Sequence, residues 1–98
     1  MCMLLQADGS LLFKGGFAFY NRSAWRRDAK DAELLTIAVG GNGPFPEGLK
    51  SQQSGKQAGA LVGYDEKRRE ITYRFGPATD ALNFAGFYFY KADTCRAQ

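Results

Sequence analysis

The feature that most constrains the fold is a run of aromatic residues near the C-terminal end of the chain. Five of the seven residues 84–90 are Phe or Tyr. Successive side chains of a β-strand point to opposite faces, so a strand here would carry Phe84, Tyr88 and Tyr90 on one face and Phe87 and Phe89 on the other. A strand with two apolar faces must be covered on both sides. The sequence therefore predicts a sheet with a second layer packed against it.

Other segments are typical of short antiparallel strands. Two of them flank the Asp8-Gly9 turn within residues 2–14, and residues 17–20 would form a further short strand. The segments 33–39, 60–64 and 69–75 are also strand-like, and in the last of these Ile71, Tyr73 and Phe75 alternate with polar residues. We expect an antiparallel sheet of six to seven short strands.

Residues 23–33 admit two interpretations. Trp25, Ala29 and Ala32 have the spacing of one helical face, and Ser23 can cap the N-terminus of a helix. The charges run against the helix dipole, since arginines come early and acids late, so a strand, a turn and a return strand remain the alternative. The helical interpretation predicts an α+β fold in which this helix covers one sheet face. Without the helix, a closed all-β barrel is the alternative fold.

The composition indicates one folded domain. Ninety-eight residues, 45% of them apolar, form a single domain spanning residues 1–98. No apolar stretch approaches the roughly 18 residues of a membrane-spanning helix. Residues 40–59 contain six glycines and the Pro44-Phe45-Pro46 unit, which predicts a long irregular loop within the domain.

The chain contains no histidine, and this absence narrows its chemistry. It excludes nucleophile systems that depend on His and zinc sites that contain it. We expect no catalytic residue, no metal site and no cofactor. Cys2 and Cys95 are expected to be free thiols, with a disulfide bond between them as the alternative if the terminal strands are neighbours. The lack of a recognisable signal peptide predicts a cytoplasmic location.

The net charge of +3 is spread along the chain, with acidic residues beside each basic cluster. Nucleic-acid binders usually concentrate their positive charge on one face, so neither a nucleic acid nor a membrane is an expected partner.

Aromatic side chains dominate apolar pockets and interface anchors. The sequence therefore predicts a small non-enzymatic binding module that uses an aromatic sheet face. Its partner would be a small apolar or aromatic ligand or a second copy of the chain in a homodimer. The candidate binding residues are Trp25, Phe45, Tyr73, Tyr88 and Tyr90.

Two other functions remain open at this point. One is a small cavity enzyme that uses a carboxylate, such as Glu70 or Asp80, together with tyrosines. The other is a weak nucleic-acid binder that uses Arg22, Arg26, Arg27 and the turn at residues 67–69.

Overall fold

The structure is a computed structural model, and it describes residues 2–46, 60–77, 79, 81–85 and 87–90. The described part is built almost entirely of β-strands. In chain order the elements are β1 (Cys2–Leu5), β2 (Ser10–Lys14), a 3-10 helix (Ala18–Tyr20), β3 (Ser23–Arg27), β4 (Leu34–Ala38), β5 (Ala60–Asp65), β6 (Glu70–Arg74), β7 (Ala81–Phe84) and β8 (Phe87–Tyr90).

Six strands form one antiparallel sheet with the order β1-β2-β3-β4-β6-β5, and β7 and β8 form a separate hairpin. The register places Ile37 opposite both Trp25 and Ile71, and Leu35 opposite Tyr73. Because directly paired residues share a face, the buried apolar positions of neighbouring strands line up across the sheet.

The core lies between one face of the sheet and the β7–β8 hairpin. The sheet contributes Leu11, Phe13, Leu35, Ile37, Ile71 and Tyr73, and the hairpin contributes Leu82 and Phe84. The Tyr73 hydroxyl donates a hydrogen bond of 2.8 Å to the Asn83 carbonyl oxygen. Burial of these side chains supplies the main driving force for folding, and the hydrogen bond fixes the hairpin on the sheet.

The prediction of a mainly antiparallel sheet is confirmed. The Asp8-Gly9 turn joins β1 to β2, and Leu35, Ile37 and Val39 are all buried, as their alternation indicates. Residues 17–20 were expected to form a strand, but residues 18–20 form the 3-10 helix instead.

The helix predicted for residues 23–33 is wrong. Residues 23–27 form β3, and the chain returns through a turn to β4, as in the alternative interpretation. The Asp28 carboxylate accepts hydrogen bonds from the backbone N–H groups of Lys30 and Asp31 and thereby stabilises the turn. Residues 24–27 pair with β4, and Ser23 and Ala24 pair with β2. The backbone hydrogen bonds of this pairing outweigh the helix propensity of three alanines.

The barrel alternative is also wrong. The sheet is open, because β1 and β5 are its outer strands and do not pair with each other among the described residues. The second layer is neither a helix nor a closed sheet. It is the aromatic segment itself, which was expected to be one strand and instead folds into the β7–β8 hairpin.

Two further features bear on the predicted environment. Cys2 is disulfide-bonded, which corrects the expectation of a free thiol at this position, while Cys95 lies outside the described residues. In the described ranges, no helix has the length and apolar character that crossing a membrane requires.

Candidate aromatic binding surface

Three connections meet at one end of the six-stranded sheet, which we call the aromatic end. They are the β2–β3 connection (residues 15–22), the segment that leaves β4 (residues 39–45) and the β5–β6 turn (residues 66–69). Direct hydrogen bonds join them: the Phe19 carbonyl oxygen accepts from Asn42 N at 2.9 Å, and Arg69 Nη2 donates to the Gly43 carbonyl oxygen at 2.6 Å.

An exposed group of phenylalanines lies at this end. Phe19 and Phe87 are each 51% exposed, and Phe17 lies between them. The Phe17 ring centroid is 5.9 Å from that of Phe19 and 5.3 Å from that of Phe87, both in edge-to-face geometry. We call these three residues the aromatic patch. Rings at such distances attract one another beyond the burial of their area, so the patch is one continuous surface.

Buried aromatic residues support the patch from below. Phe17 contacts the core rings of Phe13, Tyr20 and Phe84, with centroids 5.6–6.1 Å apart. Phe13 and Phe84 are almost fully buried. The patch is therefore the outer edge of a cluster that continues into the core, and the core limits how far its rings can move.

A buried hydroxyl group joins the loops of the aromatic end. Ser23 is only 3% exposed, and its Oγ donates to the Tyr20 carbonyl oxygen at 2.8 Å and accepts from Gly40 N at 2.9 Å. The Tyr20 hydroxyl donates to the Pro44 carbonyl oxygen at 2.7 Å. These hydrogen bonds hold residues 40–44 against the 3-10 helix that carries Phe19.

Close packing at Gly43 and the backbone conformation of Phe17 both bear on the geometry of the patch. Gly43 packs so closely on the 3-10 helix that a Cβ atom there would lie 2.6 Å from a ring carbon of Tyr20. Phe17 has a φ of +61°, in the left-handed region. That conformation costs a non-glycine residue about 1 kcal/mol or more. The packing of the Phe17 ring against the core offsets this cost and fixes the ring within the patch.

The charge of the described residues differs between the two ends of the sheet. The aromatic end has a net charge of +2, from the basic residues Lys14, Arg22, Lys67, Arg68 and Arg69 and the acidic residues Asp65, Glu66 and Glu70. The opposite end has a net charge of −1, from Arg27, Lys30, Arg74, Asp8, Asp28, Asp31 and Glu33. Arg22 lies beside β3, and its charge, after the Ser10 hydrogen bonds, helps to lower the pKa of Asp8.

The five residues predicted as a binding site do not form one cluster. Tyr73 is fully buried in the core, where desolvation raises the pKa of its hydroxyl. Trp25 is half-buried, and its Nε1 donates to the Gln6 carbonyl oxygen at 2.8 Å, at the opposite end of the sheet. Phe45 packs against the core with its ring centroid 6.0 Å from that of Tyr64. Tyr90 is 70% exposed, and the side chain of Tyr88 lies outside the part of the chain that the structure describes.

None of the three patch residues is among the binding residues predicted from the sequence. Phe17 and Phe19 were assigned to a short strand and Phe87 to the core. One sequence feature that could have indicated the patch is the composition of the segment from Ser10 to Arg27. It contains four basic residues, no acidic residue and four aromatic residues besides Trp25. A second signal was the small pair Ala85-Gly86 inside the aromatic run, which is typical of a tight turn.

The carboxylates considered for acid-base chemistry are not brought together in one site among the described residues. Glu70 forms an ion pair with Arg26 at 3.1 Å on the face of the sheet away from the core. Asp80, the other carboxylate considered for acid-base chemistry, lies outside the described residues. In the same ranges, no three His, Cys, Asp or Glu side chains come close enough to hold a metal ion. The described residues instead form an apolar surface, the aromatic patch, at the positively charged end of the sheet.

Comparisons with protein-family models, with curated proteins and with solved structures found no match to this chain.

Proposed function

We propose that this chain is a small non-enzymatic binding module that contacts its partner through the aromatic patch. The observation that carries the proposal is the exposure of Phe19 and Phe87, half of each ring, beside a Phe17 held in the left-handed conformation. Large apolar side chains that are exposed together on a compact protein usually mark an interaction site. The patch replaces the five-residue site expected from the sequence as the proposed contact surface.

The exposed rings provide enough apolar area for measurable binding. A fully covered Phe side chain buries about 200 Å², so each half-exposed ring leaves about 100 Å² for a partner to cover. At about 25 cal/mol per Å², covering one ring contributes about 2.5 kcal/mol before the costs of association. Covering both rings can therefore support binding, although not high affinity by itself.

The proposal is tested with an anionic apolar dye, anilinonaphthalene sulfonate, whose fluorescence rises on apolar surfaces. We expect saturable binding to the wild-type protein. We expect it to weaken at least about tenfold in the double variant Phe19→Ser with Phe87→Ser, because the patch then loses most of its exposed apolar area. Both side chains are half-exposed, so the variant should retain the wild-type circular dichroism spectrum.

The matched control is Val62→Ser, because Val62 is 54% exposed on the outer strand β5, away from the patch. Dye binding should be unchanged in this variant. Equal dye binding by wild type and the double Phe variant, with both folded, would refute the proposal.

The predicted homodimer and the predicted small apolar ligand are the two forms of partner expected from the sequence. Native mass spectrometry distinguishes them, since a dimer doubles the mass and a retained ligand adds a small increment. The cytoplasmic location also stays a prediction. The disulfide bond of Cys2 weighs against it, because structural disulfides persist mainly in oxidising compartments.

A further inference from the structure

The aromatic patch and the charge of the aromatic end point to a particular class of partner, and this step rests on the proposed function. We propose that the patch docks this protein peripherally on an anionic lipid surface. Phe19 and Phe87 would enter the interface between headgroups and acyl chains, and the basic residues around them would face the lipid phosphates. Peripheral docking requires no membrane-spanning segment, but it revises the expectation that a membrane is not a partner.

The first argument is the shape and chemistry of the patch. Phe19 belongs to the 3-10 helix between β2 and β3, and Phe87 directly follows the turn between β7 and β8. Both rings thus lie at chain turns. A phenylalanine ring has no atom that donates or accepts a conventional hydrogen bond, so the patch has no means of reading polar groups on a specific partner. Exposed apolar side chains combined with basic residues are the recurrent chemistry of proteins that lie in the membrane interface.

The second argument is charge complementarity. The aromatic end has a net charge of +2, whereas the opposite end has a net charge of −1. Lys14 and Lys67 are exposed, and neither forms an ion pair within the described part of the chain. An anionic bilayer attracts basic residues near its surface, and each one strengthens binding about fivefold. This polarity would orient the protein with the patch toward the lipid.

The third argument disfavours a second copy as the occupant. A stable protein–protein interface buries about 800 Å² on each partner, and the two half-exposed rings supply about 200 Å². A symmetric dimer formed through this end would also bring two positively charged surfaces together. A lipid interface needs neither a large matched area nor a complementary protein shape.

The test measures co-sedimentation of the full chain with vesicles of phosphatidylcholine alone and with vesicles of phosphatidylcholine mixed with the anionic lipid phosphatidylglycerol, whose negative surface potential attracts basic residues. We expect binding to the anionic vesicles only, and weaker binding as salt is raised. The variant Phe19→Ser with Phe87→Ser should bind at least about tenfold more weakly. The variant Lys14→Gln with Lys67→Gln should bind about 25-fold more weakly, from two basic residues at about fivefold each.

Two control variants locate the effect. Val62→Ser removes an exposed apolar side chain away from the patch, and Lys30→Gln removes an exposed cation at the opposite end. Both should bind vesicles like the wild type. Loss of binding in either control to the same extent as in the patch variants would overturn the inference.

The other outcomes separate this inference from the proposed function. Dye binding that depends on the patch, without vesicle binding, would overturn lipid docking and leave the binding module intact. A homodimer that buries Phe19 and Phe87 would have the same effect. Binding of single-stranded oligonucleotide that is lost in the lysine variant, in the absence of vesicle binding, would overturn lipid docking in favour of a nucleic acid. Absence of both dye and vesicle binding would overturn both proposals.

Discussion

Replacing Ser23 with Ala should destabilise the protein far more than a surface serine would. Ser23 Oγ makes two hydrogen bonds, to the Tyr20 carbonyl oxygen at 2.8 Å and from Gly40 N at 2.9 Å, and the residue is 3% exposed. Alanine fits the same space but leaves both backbone groups without this partner. A buried polar group that loses its partner costs about 1–3 kcal/mol, so the two groups together should cost about 2–6 kcal/mol in unfolding free energy.

The assay is urea unfolding followed by circular dichroism, with thermal unfolding as a second measurement. A loss of this size lowers the Tm of a domain of about 100 residues by roughly 10–30 °C. Ser10→Ala is the matched control, because the Ser10 hydroxyl bonds only to exposed side chains of Gln6 and Asp8, and it should cost less than about 1 kcal/mol.

The position of Ser23 also links stability to the binding surface. Its hydrogen bonds hold residues 40–44 against the 3-10 helix, so Ser23→Ala should weaken dye binding to the patch under conditions where the protein is still folded. Equal unfolding free energies for Ser23→Ala and Ser10→Ala would refute the reasoning that this hydroxyl organises the aromatic end.

Three further predictions follow from the core and its tyrosines. Tyr73→Phe should lower the unfolding free energy by about 1–2 kcal/mol in urea unfolding, because the hydrogen bond to Asn83 is lost while the ring remains, and no loss would contradict its role in fixing the hairpin. Gly43→Ala should cost about 1–3 kcal/mol in the same assay, because its Cβ would overlap the Tyr20 ring, and a neutral result would show that the loop can move away. Stability should fall above pH 10, because burial raises the pKa of both Tyr20 and Tyr73 in the folded state above the ordinary value of 10.0. The unfolded chain then loses protons first, so stability is complete below pH 10 and declines as the pH rises further. Urea unfolding at successive pH values checks the decline, which should be smaller in Tyr73→Phe.

Strands with clear alternation could be predicted from the sequence alone. In β6 apolar and polar residues alternate, and Ile71 and Tyr73 are buried as that pattern indicates. In β4 every second residue, Leu35 and Ile37, is a large apolar residue that is buried, with the smaller Thr36 between them. Alternation reports the burial of one face directly, so no knowledge of the neighbouring strands was needed.

The second layer could not be predicted in the same way. The apolar residues of the segment 23–33 have helical spacing, and pairing with β2 and β4, which lie mostly outside that segment, makes residues 23–27 a strand. The aromatic run divides at Ala85, whose φ of +53° permits a tight turn. That turn sends Phe84 into the core and leaves Phe87 exposed.

The choice of candidate binding residues followed from those same expectations about the fold. Once residues 84–90 were treated as one strand, Phe87 was assigned to the core and Tyr90 to the functional face. In the structure both residues are exposed. The ring of Phe87 contacts Phe17, which in turn contacts Phe19, and the local sequence pattern does not indicate that residues 17–19 lie close to Phe87. Long-range contacts of this kind are set by tertiary packing and are not visible in local periodicity.

The most direct test of the binding surface is residue-resolved NMR of the full chain titrated with anionic bicelles. We expect the ring resonances of Phe17, Phe19 and Phe87 to shift and broaden first, together with the backbone amides of residues 15–22. The methyl resonances of Val62 and the amides of residues 28–33 should stay unchanged. Perturbations centred on β5 or on the opposite end of the sheet, with the aromatic patch unaffected, would contradict this expectation.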